Sequence, residues 1–162
     1  MSAVTRVAEQ VHGILTRAQL NFHIDQTGNS FIIPFGSTAC QLDVGEAGEQ
    51  TLVGIRATVL ENVDASGDRR GKILERLNEI NNDGAFGTMC MRDGDGRSMI
   101  FLQHQLLADE LDTNELLNAL DLAAARADSL DDELMTAFET GETWAAVQAR
   151  EKTSGDQGVV SA

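Results

Sequence analysis

The window DGDGRSMIFLQH, Asp93 to His104, sets two carboxylates at the first and third positions of what would be a calcium loop. The remaining ligands do not follow. Arg97 stands at the fifth position, Ser98 where the loop needs its glycine, and His104 where a bidentate glutamate would close the coordination sphere. Gly67-Asp-Arg-Arg-Gly71-Lys72-Ile73 is shaped like a phosphate-cradling loop, yet its glycines are one residue too close and no hydroxyl residue follows the lysine. A helix N-terminus, whose backbone donors can face an anion, accounts for it better. His12, His23 and His104 fall on separate elements without the i, i+4 spacing that places two ligands on one helix face. Cys40 and Cys90 lie far apart in apolar runs, outside any zinc or redox spacing, and read as buried thiols of a reducing compartment. No Gly-x-Ser-x-Gly elbow is present. The many carboxylates from Asp109 to Glu142 fall mostly opposite an apolar helical stripe, as a solvated face, with selection of a charged partner as the lesser reading. No catalytic residue, metal or cofactor is expected.

Charge narrows the partners. The chain has 162 residues, with 12 Lys and Arg against 26 Asp and Glu and a formal net charge of −14, so its long-range field repels phosphate backbones and anionic membranes. Arg69, Arg70 and Lys72 form one small basic patch within that field. Only 4 % of residues are aromatic and there is no Tyr, which gives little support to base stacking. No run spans a bilayer and the N-terminus lacks a secretory pattern, so the expected location is cytoplasmic, with neither nucleic acid nor membrane as partner.

The elements that must position any site can be read from periodicity. Val4, Val7, Val11, Ile14 and Ala18 make one stripe on a helix over residues 3 to 19. Two or three short strands fit residues 21 to 44, with turns at Thr27-Gly28-Asn29 and Gly36-Ser37-Thr38, and Pro34 marks an edge strand or bulge. Val53, Ile55, Ala57 and Val59 alternate in a strand over 51 to 60. A second helix starts near Asp64–Asp68, carries Ile73, Leu74, Leu77 and Ile80 on one face, and stops at Asn81-Asn82-Asp83-Gly84, where a left-handed terminus is expected. Strands over 86 to 92 and 97 to 104 are joined by Asp93-Gly-Asp-Gly96. Asp112 with Glu115 opens a long helix, whose stripe Leu116, Leu120, Ala123, Ala127, Leu130, Leu134 and Phe138 runs to Gly141. The result is an α+β domain on an antiparallel sheet over residues 1–141, followed by a short helical extension and flexible tail over 142–162.

The hairpin has apolar residues in both alternation phases. An even-length loop puts Met89, Met91, Ile100 and Leu102 on one face and Cys90, Met99 and Phe101 on the other, so both faces need cover. Helices one and three on opposite faces would supply it; otherwise a second subunit or a bound polypeptide must, and unbranched methionines suit a variable partner. The candidate partner or dimer surface is drawn from Phe31, Ile33, Met89, Met91, Met99, Phe101 and Trp144. A different class of reading is a small-ligand sensor or enzyme, with a pocket between the sheet and the last long helix, using Asp121 or Asp128 and one histidine.

LNEINN at 77–82, the Asp-Gly hairpin, SMIFLQHQLL at 98–107, DTNELLNAL at 112–120 and ARADSLDDELMTAFETG at 125–141 resemble the YbjN-type domain family, which is similar in fold to class I type III secretion chaperones. The resemblance spans residues 3 to 141, with Phe138-Glu-Thr-Gly141 replacing a Phe-Gly-Gly-like ending of that family. It implies an α-β-β-β-α-β-β-α domain, commonly a homodimer, that binds a protein or peptide partner without catalysis, as a chaperone or regulatory adaptor. The close alternative is a chaperone dedicated to one type III secretion effector.

Overall fold

In the computed structural model, which describes residues 1–84 and 86–156, the elements are α1 (Ala3–Arg17), β1 (His23–Ile24), β2 (Ser30–Phe35), β3 (Thr38–Ala47), β4 (Gln50–Val63), α2 (Asp68–Asp83), β5 (Thr88–Gly94), β6 (Arg97–Leu107), α3 (Thr113–Phe138) and α4 (Trp144–Asp156). The expected order holds, with the two-residue β1 ahead of three main strands and α4 appended. Among the described residues no helix is long and apolar enough to cross a membrane.

Local signals account for most boundaries. Ser2 opens α1 by accepting the Thr5 N–H on its hydroxyl oxygen at 3.1 Å, and Asp112 opens α3 by accepting the Glu115 N–H at 2.8 Å. The long helix closes with Glu139 in the left-handed region. In α2 the periodic residues Ile73, Leu77 and Ile80 are buried, but Leu74, expected beside them, is 45 % exposed. One residue of rotation carries it off the stripe. The terminator also differs from expectation, because Gly84 is extended and not left-handed. Residues 152–156, expected as frayed tail, are helical in α4; the rest of the expected tail, 157–162, lies outside the described residues.

The sheet is antiparallel throughout, in the order β1-β2-β3-β4-β6-β5. Pairing of Leu42 with Ile55, Ala57 with Leu102 and Leu102 with Met89 places one apolar set on one face. Helices α1, α2 and α3 all contribute to the same continuous core on that face, so helices one and three do not cover opposite sides. An apolar stripe shows that a helix buries one side; it does not say against which side of a sheet. The β5–β6 turn is Asp95-Gly96, with φ of +47° and +77°, a two-residue reversal of the type that matches strand twist. Its even length yields the grouping read from the sequence, with Cys90, Met99 and Phe101 on the face away from the three helices. Pro34 sits on the part of β2 beyond its pairing with β1, where the missing donor costs nothing. At Gly141 (φ +92°) the chain passes the end of β4, and a Cβ there would meet Leu60 and Val63 at 3.1–3.2 Å. From that crossing α4 reaches the other face of the sheet, against β3 and β4.

Candidate functional site

The face opposite the three helices carries Ile32, Gln41, Asp43, Gly54, Arg56, Thr58, Cys90, Arg92, Met99, Phe101, Gln103 and Gln105, by strand alternation and pairing. Phe101 is only 3 % exposed there. Its cover is two guanidinium groups, with the central carbons of Arg56 and Arg92 at 5.2 and 5.3 Å from the ring centre. Arg56 stands on β4 and Arg92 on β5, one on each flank of β6, so the ring lies between them. Asp43 is the nearest carboxylate to Arg56, at 3.9 Å, and is itself engaged by Ser30 at 2.6 Å and Gln41 at 2.9 Å. The Arg56 Nε is buried with no hydrogen-bond partner.

Next to this sandwich lies a cavity of about 380 Å³, bounded by Ile32, Arg56, Arg92, Met99 and Trp144 among others. Helix α4 forms one wall and buries Val147, while Ala39 is closed off on the same face of the sheet; neither belongs to the main core. Its attachment is mostly polar. Glu61 and Glu142 exchange two backbone hydrogen bonds of 2.8 Å, the Ala145 N–H donates to the Ser37 carbonyl at 3.1 Å, and Asn62 and Arg150 both hold the Glu142 carboxylate. Burial pushes the Glu61 carboxyl up, the Glu151 and Glu142 carboxylates add to the rise, and Arg150 opposes it. Arg150 and Asn62 hold Glu142 down.

The β5 edge is partly sealed by a side chain. The Asn81 amide accepts the Met89 N–H at 2.6 Å and donates to the Met89 carbonyl at 3.1 Å, as a neighbouring strand would. Its role is therefore more than ending a helix. A second cavity of about 370 Å³ lies between α1 and the β1–β2 hairpin, lined by Ala8, His12, Ile24 and Phe31. Ile24 is 44 % exposed at its rim.

The candidate residues of the sequence divide by location. Met99, Phe101 and Trp144 come together on the face away from the three helices. Phe31, Ile33 and Met89 do not join them, since the chain's own helices seal all three in the core of a single copy; Phe31 also underlies the α1 cavity. Met91 is half-buried at the β5 edge. Cys40 is buried as expected, and that burial pushes its thiol up to about 12, with the Asp121 charge adding to it. Cys90 is only half-buried, opposite Phe101; burial raises its thiol while Arg92 and Arg56 pull it down. Asp121 is exposed, Asp128 accepts from the Ser37 hydroxyl, and His104 stacks on Phe86 at 4.2 Å, so the carboxylates and histidines proposed for a small-ligand pocket do not converge. Arg56 and Arg92 were not among the candidates. Their only signal was a basic residue in the polar phase of each of two strands that the register brings to either side of Phe101.

Comparison with known proteins bears on this arrangement. The sequence family described as T3SS (YopN, CesT) and YbjN peptide-binding chaperone 1, TY-Chap1, matches residues 5–145. Among curated proteins no sequence matches the chain. The crystal structure of YbjN from E. coli is similar in fold at 10 % identity and a TM-score of 0.62, over 84 % of this chain and 95 % of that one. That of the ExsC–ExsE complex is similar at 15 % identity and a TM-score of 0.55, over 82 % and 96 %. The match ends at the start of α4, so nearly all of that helix lies beyond the matched segment. With a six-stranded antiparallel sheet backed by three helices and a match along most of its length, the chain belongs to the TY-Chap1 family of peptide-binding chaperones.

Proposed function

We propose that the protein is a non-catalytic chaperone or regulatory adaptor that binds an extended polypeptide across the face of the sheet opposite α1, α2 and α3. The observation that carries this reading is the cavity of about 380 Å³ that Met99 and Trp144 line, on a face that α4 covers only in part. An extended segment laid there sets alternate side chains into the cavity and keeps its own backbone groups free to pair with a strand edge. The solved structure of ExsC with ExsE supports the view that this fold engages protein partners. Cytoplasmic action suits two unpaired thiols, Cys40 and Cys90, on opposite faces of the sheet.

Trp144 is the only tryptophan and lines the cavity, so its emission reports occupancy directly. Titration with a permanently unfolded polypeptide is expected to give a saturable emission shift, and Met99→Ala to weaken it by about tenfold through the apolar contact it removes. Saturable thermal stabilisation by one metabolite, with no response to any polypeptide, would replace this reading by a small-ligand sensor. A panel of secretion effectors separates a dedicated chaperone, which answers to one member, from a general binder.

A further inference from the structure

The arginines of this face point to the chemistry of the segment it takes, an inference that rests on the polypeptide-binding reading above. In a chain with 26 acidic and 12 basic residues, Arg56, Arg92 and Arg97 all line one cavity. Neither Arg92 nor Arg97 forms a salt bridge among the described residues, and the Nε of Arg56 is buried without an acceptor. Glu61 and Asp95 line the same cavity without pairing with any of these three arginines among the described residues, Asp43 stands 3.9 Å from Arg56, and Asp93 and Asp43 are both engaged by other groups. Asp93 holds Arg70 at 2.9 Å and accepts from Ser98 at 2.7 Å, and Asp43 is taken by Ser30 and Gln41. The Phe101 ring holds the guanidinium carbons of both Arg56 and Arg92 close to it, and Arg92, exposed and without a carboxylate partner among the described residues, can offer the paired N–H donors that recognise a carboxylate. A buried donor without an acceptor is costly until a ligand supplies one.

We propose that Arg92, held over Phe101 at the cavity that Arg56 and Arg97 also line, takes an Asp or Glu side chain of the bound polypeptide, with an adjoining apolar side chain entering the cavity beside Met99. The partner segment therefore carries a carboxylate next to an aliphatic residue, although the protein as a whole is acidic. Long-range repulsion from the net charge keeps loosely matched acidic chains away, and the local fork selects the one that fits.

The test uses the full-length chain and a displayed library of random-sequence peptides. Enriched peptides are expected to share Asp or Glu at one fixed position, and Asn or Gln there should weaken binding by about tenfold or more. In Arg92→Gln the same peptide change should cost little, because the interaction it removes is already gone. Arg92→Lys should restore only part of the affinity, since a single ammonium cannot make the bidentate contact. Arg92 is exposed, so its variants keep the fold even if Arg56→Gln, checked by circular dichroism, does not. Enriched peptides that ignore the Asp-to-Asn change, or that bind Arg92→Gln as tightly as the parent, overturn the subsite while leaving polypeptide binding intact. Sulfate competing at concentrations where an acidic peptide does not, or a single-stranded oligonucleotide binding where peptides fail, overturns it as well. A library that yields no binder removes both the subsite and the reading beneath it.

Discussion

Met89 makes two outward backbone hydrogen bonds with one side chain, its N–H donating to the Asn81 amide oxygen and its carbonyl accepting from the Asn81 amide nitrogen. Donor and acceptor must be present together, which only an amide supplies. Asn81→Asp keeps the shape but offers no donor to the Met89 carbonyl, so it is expected to lower stability by about 1–3 kcal/mol. Urea unfolding with an unchanged slope would read that loss, and an unchanged midpoint would mean that water or another strand serves this edge equally well. Nothing in the sequence distinguished this asparagine from a helix terminator, because its partner belongs to the next strand. Phe101 was legible as one of too many apolar residues in the hairpin, whereas the arginines that cover it needed the β4–β6–β5 register before they could be placed.

Among the helices, α4 has the weakest claim on the fold, since none of its residues enters the main core. Its base holds Glu61, Glu142 and Glu151 with Arg150. The two shifted carboxyls act in opposite senses. Glu61, raised, contributes stability that is complete below its ordinary value of 4.5 and lost as pH climbs through the raised one. Glu142, lowered, contributes stability that is present above 4.5 and lost as pH falls through the depressed one. Attachment of α4 is therefore expected to be tightest around the ordinary glutamate range and to loosen on both sides. Hydrogen exchange of the Trp144–Asp156 amides, corrected for intrinsic rates, should trace that maximum, and Glu61→Gln should flatten its alkaline limb. A profile identical in Glu61→Gln would assign the pH response to other groups. Helix positions and the Asp112 cap of α3 were readable because stripes and caps are local, but α2 starts at Gly67 without a side-chain cap, and the length of α4 was not readable, as its sequence has no stripe to read.

For the whole molecule, α-β-β-β-α-β-β-α was recoverable from turn signals and alternation, but the side of the sheet each helix occupies was not. That choice is made by chain crossings such as Gly141, and it decides whether Phe31 and Ile33 are core or surface. It also leaves the β5 edge capped by a side chain at Met89 alone among the described residues. Arg70 and Asn81 of α2 both touch β5, Leu74, between them on the same stripe, is 45 % exposed, and Met91 of β5 is half-buried. Met91 turns its backbone groups outward as Met89 does, two residues on. A homodimer through α2 and β5 is expected by light scattering, with Leu74→Glu giving a folded monomer; a parent chain that is monomeric at every concentration would place its partner contacts elsewhere. The location of the two thiols has a practical consequence. Cys40 is sealed with its proton held tightly, while Cys90 is half-buried on the face of Phe101 with its thiol only moderately accessible and also raised, so a maleimide dye at mildly alkaline pH tags one atom per copy, and the rate of tagging becomes a clock for how often that surface is vacant.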